Sequence, residues 1–330
     1  MTTIYDVALR AGVSISTVSR VLNSHPYVKD STRKRVEELL AEMNYVPNYN
    51  ASSLVRKRTK TIAVMLPDIS NNFFATIFLG IEEKASQNGF VVIFGNTSED
   101  VNKEKEYMHM FLERRVDGII LDPVSVKGET LRPILNNEVP LVLIDREIVG
   151  METSLVSSNN EKGASELVEY LIERGHERIG LITASKETSV FGMRNRGYYG
   201  ALKRAGLEVR DEYIKVGTKP VQEVGHSLVQ SLVECDPAPT ALFAANNGLA
   251  IGAAHGLREL GYTVPNDMAI VCFDELDNGA VLDPFFTSMN QQAYEMGVKA
   301  ADLLLKQISK ELNVTKKIYL DPHLFIRRST

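Results

Sequence analysis

Ser14-Ile15-Ser16-Thr17-Val18-Ser19-Arg20 gathers small and hydrogen-bonding side chains within seven positions. Ser14, Ile15, Ser16, Thr17, Ser19 and Arg20 can therefore approach base edges in the major groove of DNA. Tyr5, Asn23 and His25 lie close enough in sequence to reach phosphates from the same body. A different chemistry is written at Asp145-Arg146, where a carboxylate and a guanidinium can grip vicinal hydroxyls, or a carboxylate bidentately. In Asn71-Asn72-Phe73-Phe74 an aromatic ring can stack on a sugar face, Asn71 can cap a helix, and core packing claims at least one of the two phenylalanines. Enzyme chemistry finds little support. No G-x-G-x-x-G follows the first strand, and there is no G-x-x-x-x-G-K-[ST] loop and no G-x-S-x-G elbow. The six histidines show no metal-ligand spacing. No metal or cofactor is expected.

The elements that must position the first set are three short helices. Thr3 precedes an apolar stripe at Ile4, Val7, Ala8 and Ala11, with Asp6 placed to complete a capping box and Gly12 placed as a left-handed C-cap. Ser14 can cap a second helix whose buried face is Val18, Val21 and Leu22. Helix, glycine turn and helix within about twenty residues is a helix-turn-helix. The third helix follows Asp30-Ser31, with Val36, Leu39, Leu40 and Met43 inside and Arg33, Lys34 and Arg35 outside. Charge supports a polyanionic partner. Residues 1–60 hold ten basic and five acidic side chains, whereas 61–330 hold 27 and 37, for a total of 37 against 42.

Pro47 ends the third helix, and 50–58 is too short for a helix that is stable alone in water. That segment is expected to order only on DNA, beside a symmetry mate. From residue 61, apolar runs at 61–66, 90–95, 118–121, 140–144, 178–183, 213–216, 240–245, 268–273 and 285–289 alternate with amphipathic stretches. The pattern predicts parallel sheets in two doubly wound lobes. Ligands of such sheets sit at the carboxyl ends of the strands, in the cleft.

No apolar run reaches the roughly twenty residues of a spanning helix. No signal peptide is expected from Met1-Thr2-Thr3-Ile4, and two cysteines are too few for a disulfide framework. A cytoplasmic, nucleoid-associated protein is expected.

Thr3-Ile4-Tyr5-Asp6-Val7-Ala8, Ala11-Gly12-Val13-Ser14, Ser16 to Asn23 and Tyr45-Val46-Pro47-Asn48, with Ala51 and Leu54 downstream, closely resemble the headpiece of the LacI/GalR family of bacterial repressors. The resemblance implies an N-terminal all-α helix-turn-helix headpiece plus an α/β periplasmic-binding-protein-like core. It divides the chain into a headpiece (1–46), a hinge (47–60) and a bilobed effector-binding and dimerisation domain (61–330). Lobe 1 would take 61–158 and 291–318, and lobe 2 159–290 and 319–330. Paired hinge helices would lie in the minor groove. Asn48, Ala51 and Leu54 would be contacts there, Leu54 wedging a central base step and Arg56 holding the backbone. Ser52 stands where the family often has arginine.

In the cleft, the resemblance carries roles to Asn71, Phe73, Phe74, Asp274, Gln291 and Arg196, and leaves Arg194 on the surface. Asn247 replaces the family's usual aspartate, and Gln292 its proline. Together with Asp145 and Arg146, this polar set suits a small sugar, sugar acid or sugar phosphate, with a slight tilt toward an anionic one. The expected partners are a near-palindromic double-stranded operator, a carbohydrate-type effector, a second copy of the chain in a homodimer, and no membrane. The function expected is repression of carbohydrate-metabolism genes. Its alternative is a catabolite-control-type regulator whose co-regulator is a phosphorylated phosphocarrier protein.

Overall fold

A computed structural model of the chain describes residues 2–23, 25–45, 59–125, 127–184, 189–275 and 284–330. The hinge expectations at Pro47, Asn48, Ala51, Leu54 and Arg56 fall outside the described residues. The chain divides into two compact units, Met1–Thr59 and Lys60–Thr330.

The small unit holds α1 (Ile4–Ala11), α2 (Ile15–Leu22) and α3 (Asp30–Glu42). Thr3 and Asp6 form the reciprocal capping box, and Gly12 closes α1 at φ 63°. Ser14 caps α2 by accepting from the amide of Thr17. α3 begins at Asp30 rather than after Ser31, and no side chain caps it. Val7, Ala8, Ala11, Val18, Val21, Val28 and Val36 make the core.

In the large unit, lobe 1 carries β1 (Thr61–Leu66), α4 (Asn72–Gln87), β2 (Val91–Asn96), α5 (Val101–Glu113), β3 (Gly118–Leu121), α6 (Arg132–Asn136), β4 (Leu141–Ile144) and β5 (Ser154–Ser158). Lobe 2 follows with α7 (Asn160–Glu173), β6 (Ile179–Ala184), α8 (Ser189–Arg204), β7 (Ile214–Gly217), α9 (Gln222–Val233), β8 (Ala241–Ala244), α10 (Asn247–Glu259), β9 (Ala269–Phe273) and β10 (Thr287–Asn290). The chain then returns to lobe 1 through α11 (Ala293–Ile308) and β11 (Lys317–Leu320), and crosses once more to β12 (His323–Phe325). The sheets run β11-β5-β4-β3-β1-β2 and β12-β10-β9-β8-β6-β7. Among the described strands every pairing is parallel except β10 with β12. Strands such as β1, β3 and β4 are apolar on both faces because helices cover both.

Three passages therefore join the lobes, at 158–160, 290–293 and 320–323. The last falls after β11, so residues 319 and 320 belong to lobe 1, not lobe 2 as expected. Strand β5, Ser-Leu-Val-Ser-Ser, was not expected at all. Its buried serines are tolerated because each is bonded. Ser154 Oγ accepts from Lys316 N at 3.1 Å, and Ser157 Oγ donates to the Asp145 carbonyl at 2.7 Å.

Candidate nucleic-acid interface and effector cleft

The outward side of α2 presents Ile15, Ser16 and Arg20 as exposed side chains, with Thr17 and Ser19 half-buried between them and the core residues Val18 and Val21. The Ser14 hydroxyl lies 2.7 Å from that of Ser16 and 2.9 Å from that of Thr17, a chain of hydroxyls along the helix start. Tyr5 is exposed on α1. Asn23 spends its amide on the Ser19 carbonyl at 2.8 Å, closing α2. The carbonyl of His25 is held by Arg33 at 2.7 Å, so Arg33, on the outside of α3, fixes this loop. Tyr27, not singled out in the sequence, is 87% exposed beside His25, their ring centroids 5.4 Å apart. It adds a phenol to the same loop.

The cleft between the lobes encloses about 860 Å³, within the roughly 300–1,000 Å³ of small-ligand sites. Two aspartates stand at corresponding strand exits: Asp145 after β4 and Asp274 after β9. Both are non-glycine residues in the left-handed region, at φ 61° and 74°. Such conformations cost about 1–3 kcal/mol and persist where the surroundings impose them, typically at ligand sites. Asp145 is buried, and its Oδ1 has no hydrogen-bond partner among the described residues. Burial pushes its carboxyl up to about 6, with Asp274 and Glu99 adding repulsion against the pull of Arg194 and Arg146. Asp274 accepts from the Gln291 amide and lies 3.5 Å from Arg194. The remaining amide oxygen of Gln291 is buried and unpartnered among the described residues.

Phe74 joins the lobe 1 core, whereas Phe73 packs against it only in part and keeps a face on the cleft. Asn71 caps α4 through Phe73 N at 3.0 Å. From the other lobe Phe191 supplies a facing aromatic wall.

The arginines of α8 reverse the expectation. Arg196 points away from the cleft, more than half exposed and paired with Glu161 at 2.8 Å. Arg194 is the cleft residue. It is buried, donates to Asn160 Oδ1 at 2.8 Å and to the Ala245 carbonyl at 2.7 Å, and lies 3.9 Å over the Phe273 ring. Asn247 is displaced likewise. It is the first residue of α10 and does not line the cleft, whereas its neighbour Asn246 does. Asn246 also caps α10, accepting from Leu249 N and donating to the Pro220 carbonyl, each at 2.9 Å. Arg146 is buried, and its two terminal nitrogens meet both oxygens of Glu99 at 2.8 and 2.6 Å. Beneath it lies Asp122, fully buried and 3.6 Å from Arg146 Nε. Burial holds the Asp122 carboxyl well above the usual carboxylate range, despite Arg146. Among the described residues no group of His, Cys, Asp and Glu is arranged to hold a metal ion. No described helix is long and apolar enough to cross a membrane.

Over 329 residues, 99% of each chain, the sequence is 36% identical to the catabolite control protein A of Priestia megaterium. The chain belongs to the LacI family. Residues 3–48 match the family model for bacterial regulatory proteins, lacI family, and residues 168–330 match that of the periplasmic-binding-protein-like domain. Solved transcriptional regulators match essentially the whole chain. A Lac repressor dimer bound to operator and the anti-inducer ONPF matches 100% of this chain and 99% of its own, with TM-score 0.86 at 27% identity. A complex of the transcriptional regulator CelR with cellobiose matches 100% of both, with TM-score 0.73 at 30% identity. As a member of the LacI family, the protein is a DNA-binding transcriptional regulator, and its named relatives are regulators rather than enzymes.

Proposed function

We propose that the protein is a homodimeric repressor that reads a near-palindromic operator with two headpieces and is switched by a neutral, polyhydroxylated sugar closed between its lobes. The observation that carries this reading is the pair of strand-end aspartates, Asp145 from lobe 1 and Asp274 from lobe 2, with Arg194 in electrostatic reach of both. A sugar hydroxyl both donates and accepts. It can satisfy the unpartnered oxygens of Asp145 and Gln291, one on each side, and so favours the closed cleft by its differential contacts. Phe73 and Phe191 provide apolar faces for the ring. A related structure holding cellobiose supports the ligand class.

In the headpiece, Ser16, Thr17 and Arg20 of α2 take base edges, while Tyr5, His25 and Tyr27 take phosphates. Two successive half-sites follow from a two-fold dimer.

Isothermal calorimetry with a panel of aldoses and disaccharides tests the switch, followed by footprinting with and without the hit. Binding of one sugar, with operator affinity and sugar affinity shifted by the same factor, is the expected result. Silence of the whole panel, together with operator binding that requires a phosphorylated phosphocarrier protein, transfers control from the cleft to a protein co-regulator.

A further inference from the structure

We infer that Glu99 is a built-in anion filter. It occupies the fork of Arg146 and thereby makes the cleft select neutral sugars over their acids and phosphates. The inference rests on the sugar-binding reading above and adds the residue that sets charge preference.

Arg146 sits immediately after Asp145, at the carboxyl end of β4, where a guanidinium would otherwise present two parallel donors to an incoming carboxylate or phosphate. Those donors are already taken. Both terminal nitrogens of Arg146 meet both oxygens of Glu99, the same two-point geometry an anionic ligand would use. Arg146 is nearly buried, but Glu99 keeps half of its side chain exposed and itself lines the cleft. The filter thus stands beside the cation in the cleft wall, on the two donors an anionic ligand would need.

The turn carrying Glu99 is shaped for this purpose. Ser98 and Glu99 are consecutive non-glycine residues at φ 53° and 56°. The turn is clamped from both sides. Asn96 donates to Ser98 Oγ at 2.9 Å while its own oxygen accepts from Ile69 N at 2.9 Å, and Asp100 caps α5 through Asn102 N at 2.7 Å. Strain of this kind survives only where the surroundings hold it, and here it aims one carboxylate at one guanidinium. On its inner side Arg146 faces a second acid, the fully buried Asp122, and Asp145 adds a third. A ligand carboxylate would meet Glu99 and Asp145 in the cleft wall, around one already-paired cation.

The other buried cation offers no better berth, since Arg194 is shared among Asn160, the Ala245 carbonyl and Asp274. The reasons for expecting an anionic effector fail together, because Arg196 and Asn247 lie outside the cleft and Arg146 is spoken for.

The test titrates the full-length protein, Glu99→Gln and Glu99→Ala by calorimetry with matched pairs: D-ribose and D-ribonate, D-glucose and D-gluconate, cellobiose and cellobionate. For whichever pair binds, the wild type should prefer the neutral member by about tenfold or more. Either variant should cut that preference at least tenfold by gaining affinity for the acid. Glu99→Gln keeps the shape of the side chain, so its gain for the acid should exceed any change in its affinity for the neutral sugar, which a merely structural role would not produce. An unchanged ratio in both variants, or a wild type that prefers the acid, overturns the filter while leaving the sugar site standing. If no pair binds the wild type, the sugar reading itself falls, and the filter with it.

Discussion

Arg194 and Arg196 lie two positions apart on one helix, which turns them about 200° from each other. Phe191, Arg194 and Tyr198 share a buried face at spacings of three and four, while Arg196 is left on the solvent side with Glu161. That periodicity was legible in the sequence. It was hidden because α8 begins at Ser189, well ahead of the arginines, and Val190 and Phe191 carry the stripe only once that first turn is counted. Arg194→Ala should abolish the effect of sugar on operator binding while leaving operator affinity without sugar intact. Arg196→Ala should leave the dose response unchanged, and fluorescence anisotropy across a sugar titration distinguishes them.

Asp145 makes a pH prediction. Its folded-state carboxyl titrates near 6, whereas an unfolded aspartate titrates near 3.8. The unfolded chain ionises first as pH rises, so the stability of the neutral buried form is present below about 4 and lost by the time pH passes 6. Asp145→Asn should therefore stabilise the sugar-free protein by up to about 3 kcal/mol at pH 8, with the gain shrinking toward pH 4. Urea denaturation at the two pH values measures it, and equal gains at both would refute the buried-charge account.

Among the elements, the helices and central strands followed directly from period and caps. The capping box at Thr3 and Asp6, the left-handed Gly12 and the Ser14 cap all sit where the residue types placed them. What escaped notice was whatever tertiary partners supply. Strand β5 carries three serines and reads as a loop until Lys316 and Gln307 are seen bonding Ser154. The tail strand β12 gains its identity only from β10 across the sheet. The close pairing of α4 with α11 was equally invisible. A side chain added at Gly297 would lie 2.1 Å from the Ile77 carbonyl, and one added at Gly80 2.2 Å from that of Tyr294. Gly297→Ala should cost about 1–3 kcal/mol of lobe 1 stability, because neither backbone can yield independently. Thermal unfolding of the variant beside the wild type checks this, and an unshifted midpoint would mean the helices slide apart freely.

At the scale of the whole molecule, charge is divided between a basic first sixty residues and an acidic remainder. DNA affinity should therefore depend strongly on salt. If a dimer neutralises about six phosphates, operator affinity should fall on the order of a thousandfold between 50 and 200 mM salt. Sugar affinity, set within the cleft, should change little over the same range. Filter binding and calorimetry in parallel report the two responses, and a shallow DNA slope would argue against the headpiece carrying the contacts.

The three passages between the lobes also bear on how such a protein diversifies. A headpiece is joined by one stretch of chain, so a single recombination event can exchange its operator preference. Neither lobe is a contiguous stretch, and transplanting one would require three junctions to match at once. New sugar preferences in this architecture are thus expected to arise by replacing individual side chains in place, while new gene targets can arrive wholesale.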